Sequence, residues 1–151
     1  MMRRTLAAIV SSAWFCVAST YEAKADQCDA VAGELAARVP GVNIARRSSV
    51  AVFALHPAVK YSSIGCLNAK SVNFFADVED KYPSASFFDY FGRAAAIALG
   101  GAAEEFREGA VRCLKRALAK SGDDIDLQHS GRSFQCSADS LSSSVVVQRD
   151  K

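Results

Sequence analysis

The chain has 151 residues, half of them hydrophobic, with 18 Lys and Arg set against 16 Asp and Glu. That length suits one domain with a genuine core. The near balance of charge excludes a binder of nucleic acid or anionic lipid that works through a concentrated basic face, and the densest basic spots, Arg46-Arg47 and Arg112-Lys115-Arg116, read as a solvated strand end and a solvated helix face.

The first segment is expected to lie outside the fold. Arg3 and Arg4 precede the uncharged, mostly apolar run Leu6 to Ala18, and Ala23-Lys24-Ala25 supplies small residues at a cleavage site. This is the layout of a secretory signal peptide. Its 13 apolar-run residues fall short of the about 20 needed to span a bilayer. Residues 1–25 are therefore expected to be a cleaved signal, and residues 26–151 a single secreted α+β domain outside the cytoplasm, periplasmic or released, with no transmembrane anchor. The layout and the abundance of alanine resemble those of bacterial exported proteins. Residues 1–25 carry Arg3, Arg4, Lys24 and Glu22, so 18 less 3 and 16 less 1 leave 15 charges of each sign on the mature chain.

Asp26 can cap a first helix that runs to Val39 and ends at Pro40-Gly41. Strands are expected at Val42 to Arg46, Val50 to Leu55, Val59 to Ile64 and Ser71 to Val78. In the last of these, Val72, Phe74, Ala76 and Val78 point one way and Asn73 and Asp77 the other. A long helix should then run from about Ser84 to Lys120, with a possible interruption at Gly100-Gly101. Ile125 to Gln128, Arg132 to Ala138 and Val145 to Arg149 complete the strands, and Ser130-Gly131 reads as a hairpin turn. Short turns between consecutive strands imply an antiparallel sheet of about five to six strands, with two helices packed on it.

"VAVFAL" (Val50 to Leu55) is apolar on both faces. Val50, Val52 and Ala54 go to one side, and Ala51, Phe53 and Leu55 to the other. Helices on one side of the sheet would leave the second set wet. The leading expectation for a central strand is burial within the chain; the other is contact with a second subunit, making a homodimer.

Cys28, Cys66, Cys113 and Cys136 remain after signal removal. An even number in an exported domain reads as two disulfides. The wide spacing lacks the C-x-x-C of redox or zinc motifs. Turning 100° per residue along a single helix from Ser84 places Phe88, Phe91, Ala95, Ala98, Ala102, Phe106, Ala110 and Cys113 on the core side. Arg93, Glu104, Glu108 and Lys115 then face away, with Tyr90 turned toward them. Phe134, Cys136 and Ala138 alternate with polar neighbours as a half-buried strand does. This pairs Cys113 with Cys136. Cys28, on the apolar side of the first helix with Val31, Ala32 and Leu35, is left for Cys66.

No catalytic residue, cofactor site or metal site stands out. His56 and His129 are the two histidines, and there is no G-x-S-x-G elbow. The acidic groups Asp77-Glu79-Asp80 and Asp123-Asp124-Asp126 lack the glycine and distal glutamate of an EF-hand loop. The compositional oddity is aromatic: seven of the eleven aromatics after residue 25 lie between Phe74 and Phe91. Phe75, Tyr82 and Tyr90 are the candidates for an exposed binding patch, against a leading reading as satellite core under the Tyr82-Pro83 turn. The leading functional expectation is a non-catalytic module, of adaptor or inhibitor type, that binds an unidentified protein or envelope component. The alternatives are a carrier of a small molecule or lipid, with Phe87 and Phe91 lining its cavity, and a small hydrolase built around His56 or His129.

Overall fold

The computed structural model describes residues 27–66, 72–120 and 123–149. The expected signal at residues 1–25 and the Asp26 cap lie outside these. Within them the chain runs α1 (Gln27–Arg38), β1 (Asn43–Arg47), β2 (Ala51–Leu55), β3 (Tyr61–Gly65), β4 (Asn73–Val78), α2 (Ala85–Leu99), α3 (Ala103–Ala119), β5 (Ile125–His129), β6 (Arg132–Ala138) and β7 (Ser143–Arg149). The seven strands form one antiparallel sheet in the order β1-β2-β3-β4-β7-β6-β5. The fold is α+β. Its sheet is larger than the expected five to six strands, and among the described residues there are three helices where two were expected.

The extra helix comes from a break in the expected long one. Gly100 and Gly101 adopt φ of +71° and +118°, backbone that side-chain-bearing residues rarely take. The break is held from the sheet. Arg149 Nη2 donates to the Leu99 carbonyl (3.1 Å) and Arg132 Nη2 to the Gly100 carbonyl (2.9 Å). Two guanidinium groups thus meet the negative end of α2, where its last carbonyls lack partners within the helix.

Once the helix is broken, α2 and α3 take independent rotations. α2 buries Phe87, Tyr90, Phe91, Ala94, Ala95 and Ala98; α3 buries Phe106, Ala110, Cys113, Leu114 and Ala117. Phe88 is only half-buried and Ala102 is exposed at the corner, contrary to a single continuous stripe. Of the charges that set that stripe, Glu104, Glu108 and Lys115 lie beyond the break and Arg93 lies within α2. Within α2 the charged residues are Asp89 and Arg93. Tyr90 follows the apolar arc of Phe87, Phe91 and Ala94 instead.

All three helices pack on one sheet face. That face presents Val52, Ala54, Ile64, Phe74, Ala76, Phe134, Cys136, Val145 and Val147, all buried. Phe74, Phe87 and Phe91 meet at ring separations of 5.1 and 6.2 Å. Each fully buried side chain of this size contributes roughly 1.5–3 kcal/mol by leaving water. The ends of this layer are stapled. Cys28 on α1 joins Cys66 just after β3, and Cys113 on α3 joins Cys136 on β6, with Cα separations of 5.4 and 5.8 Å. Among the described residues no helix is long and apolar enough to cross a membrane.

Candidate binding face

Among the described residues the opposite sheet face carries no helix. Strand register orders its side chains into rows. One row crosses the whole sheet: Arg46, Phe53, Ser63, Phe75, Val146, Gln135 and Asp126. The next row contains Tyr61, Asp77, Ser144 and Ser137. Tyr61 lies diagonally between Phe53 and Phe75, with ring centroids 5.8 Å from each. Diagonal neighbours on a sheet are within reach for aromatic rings. Leu55 is 52% exposed and Tyr61 39% exposed, while Phe53, Phe75 and Val146 are half-buried by their neighbours alone. Among the described residues the second set of "VAVFAL" is therefore left uncovered, with Ala51 and Phe53 half-buried and Leu55 exposed, which corrects the expectation of burial within the chain. The reason is topological: every helix contacts the other face, and both strands beside β2 lie in the same sheet plane.

The polar members of this face are Ser63, Asn73, Asp77, Gln135 and Gln148, with Arg46 and Asp126 at its two edges. Asp77 is the unusual one. Its Oδ1 is buried without a hydrogen-bond partner. Burial pushes its carboxyl pKa above the ordinary carboxylate value, against the pull of the Lys60 ammonium. Lys60 itself pairs with Glu79.

The structure separates the three aromatics expected to form one patch. Phe75 lies on the open face. Tyr82, 66% exposed, sits on the turn before α2, beside a shallow apolar groove of about 180 Å3 shared with Phe88, Leu114 and Leu118. Tyr90 is 2% exposed and faces the sheet. Its hydroxyl donates to Ser62 Oγ (2.6 Å), which in turn donates to the Ala54 carbonyl (2.8 Å). Burial raises the Tyr90 pKa, against the bond to Ser62. Tyr90 is thus corrected from a patch residue to a buried link between α2, β3 and β2. Phe53, half-buried and placed by its sequence only on the second side of β2, and Tyr61, exposed and not singled out by its sequence, take its place on the open face. Their signal was the two-faced apolarity of "VAVFAL", followed by a strand that returns beside it.

The histidines are engaged structurally. His56 stacks on Tyr90 at 4.2 Å with the rings 10° from parallel. The Ala58 amide donates to its Nδ1 (3.1 Å), so the ring proton sits on Nε2 and is donated to the Pro40 carbonyl (3.2 Å). Burial lowers the His56 pKa, opposed by the bond to Pro40. Both ring nitrogens are occupied by backbone, which leaves neither available as a catalytic base in this geometry. His129 packs edge-on against Phe134, its Nε2 buried without a hydrogen-bond partner and 3.8 Å from a Glu108 carboxylate oxygen.

Phe87 and Phe91 are fully enclosed and fill the helix–sheet space where a carrier would need its cavity. A surface hollow of about 570 Å3 beside α1 and α2 is lined by Glu34, Arg38, Arg93 and Ile97. Glu34 and Arg38 pair with each other there at 3.3 Å. Among the described residues no group of three His, Cys, Asp or Glu side chains converges as a metal site. Comparison with protein-family models, curated proteins and solved structures finds no match to this chain.

Proposed function

We propose that this chain is an exported, non-catalytic binding module, of adaptor or inhibitor type, that engages a protein partner through its open sheet face. One observation carries the reading. A sheet whose helix-covered face is filled presents a connected aromatic cluster, Phe53, Tyr61 and Phe75, on the face left bare. An antiparallel sheet often solvates one face, but that face is then polar in alternation. Here the β2–β4 half carries Phe53, Leu55, Tyr61 and Phe75 among Ser63, Asn73 and Asp77, while the β6 and β5 side is polar, a mixed surface with an aromatic centre of the kind protein contacts use. Export is supported by the signal-like residues 1–25 and by two buried disulfides, which persist in oxidising compartments. The nearly neutral charge favours a protein over a nucleic acid or an anionic membrane. The test is affinity capture from the envelope fraction with the wild-type protein and a Phe53→Ser/Phe75→Ser variant. The reading expects a protein enriched by the wild type and lost with the variant. Equal capture by both would contradict it.

A further inference from the structure

From the register of the open face we infer that its occupant is a second copy of this chain, in a face-to-face dimer whose two-fold axis runs along β4 over Phe75. This rests on the open face being the binding surface. β4 is the fourth of seven strands. A two-fold along it therefore sets β1 over β5, β2 over β6 and β3 over β7 of the other copy. Applied to the row through Phe75, the operation has specific consequences. Phe75 meets Phe75. Val146 enters the hollow above Ser63, the small residue between Phe53 and Phe75. Phe53 covers Gln135. Arg46 at one edge lies over Asp126 at the other, and by symmetry this pair forms twice. Both residues are exposed; Asp126 alternates with Ile125 and Leu127, and Arg46, after a register shift in β1 between Ile44 and Arg46, pairs with Phe53, so both belong to this face. A two-fold across the strands would instead set Arg46 against Arg46.

The size of the face agrees. Seven strands about 4.8 Å apart and about five residues of about 3.4 Å each make a face of roughly 34 by 17 Å. Two such faces bury on the order of 1,100 Å2, which is the lower range of specific, reversible interfaces. Residues 26–151 carry 15 charges of each sign, so no net charge opposes self-association.

The same axis passes over Asp77, so the two copies bring their Asp77 carboxyls together. The charged groups beside each are Lys60 and Glu79. Like charges disfavour the doubly ionised pair. The dimer therefore takes up protons as it forms and tightens as the pH falls.

Sedimentation velocity over a micromolar-to-millimolar range tests the inference, using the oxidised protein purified after expression of the full chain. The wild type should show a concentration-dependent dimer. Phe75→Glu should be monomeric. Arg46→Glu should weaken association about tenfold, and adding Asp126→Arg should restore it to within about threefold. Unchanged urea midpoints confirm that these surface variants fold. A wild type that stays monomeric to 1 mM, or a double swap no better than the single one, overturns the inference. Should the wild type be monomeric while Phe75→Glu abolishes capture of another protein, the binding face stands and only the second copy falls. No change in either assay would remove both.

Discussion

Ser62→Ala should destabilise the fold more than Tyr90→Phe, although each removes a single hydroxyl. Ser62 is fully buried and Tyr90 nearly so. The tyrosine hydroxyl donates to Ser62 Oγ, which passes its own proton to the Ala54 carbonyl. Removing the tyrosine hydroxyl leaves Ser62 still donating to Ala54, so the loss is one net hydrogen bond, about 0.5–1.5 kcal/mol. Removing the serine hydroxyl strands a buried phenol, whose desolvation adds about 1–3 kcal/mol to the bonds lost. The double variant strands nothing and should fall near the Tyr90→Phe value, giving a coupling of about 1–2 kcal/mol in the cycle. Urea unfolding at pH 7 with constant m measures all three. For a domain of this size, about 1 kcal/mol corresponds to roughly 3–5 °C in Tm. Additive effects, or a Ser62→Ala cost below about 0.5 kcal/mol, would refute the buried chain and return Tyr90 to an exposed position.

Two further outcomes are expected. Replacing Cys28 and Cys66 by serine should cost about 3.9 kcal/mol, and Cys113 and Cys136 about 3.4 kcal/mol, in the chain-entropy treatment of loops spanning 38 and 23 residues, read from chemical denaturation of each paired variant. His56 gives a pH signature. Its folded pKa is depressed, so its neutral form is favoured by folding. The stability it contributes is full above the unfolded value of about 6.5 and is lost as pH falls through the lower folded value. Urea midpoints should therefore fall more steeply below pH 6.5 for the wild type than for His56→Gln, and parallel curves would contradict the burial that favours the neutral ring.

The strands were legible because alternation in "SVNFFADV" and "RSFQCSA" assigns each side chain a face, and because Ser130-Gly131 and Pro57 mark their ends. The same direction-finding places Cys113 and Cys136 on facing apolar surfaces. Pairing between β4 and β7 was not legible, since it joins segments some 65 residues apart that share no turn. The break after Leu99 was half visible. Gly100-Gly101 showed that the backbone could depart from a helix, but the arginines that hold the departure come from β6 and β7. Tyr90 was misread in part for that reason, because three of the four charges that set its rotation lie on α3 and the fourth, Arg93, is exposed on α2 while Tyr90 is buried. The candidate face was visible only as a problem, two apolar sides on one strand. Its solution needed the position of all three helices.

The central claim is that contacts form on the bare face around Phe53, Tyr61 and Phe75. Its most direct test is a dilution series of 15N-labelled, oxidised protein followed by amide chemical shifts. The account predicts concentration-dependent shifts clustered on β2, β3, β4 and β7, with none at the groove of Tyr82, Phe88 and Leu118, and their disappearance in Phe75→Glu. Shifts confined to that groove, or spectra unchanged up to 1 mM while Phe75→Glu still captures every partner of the wild type, would contradict it.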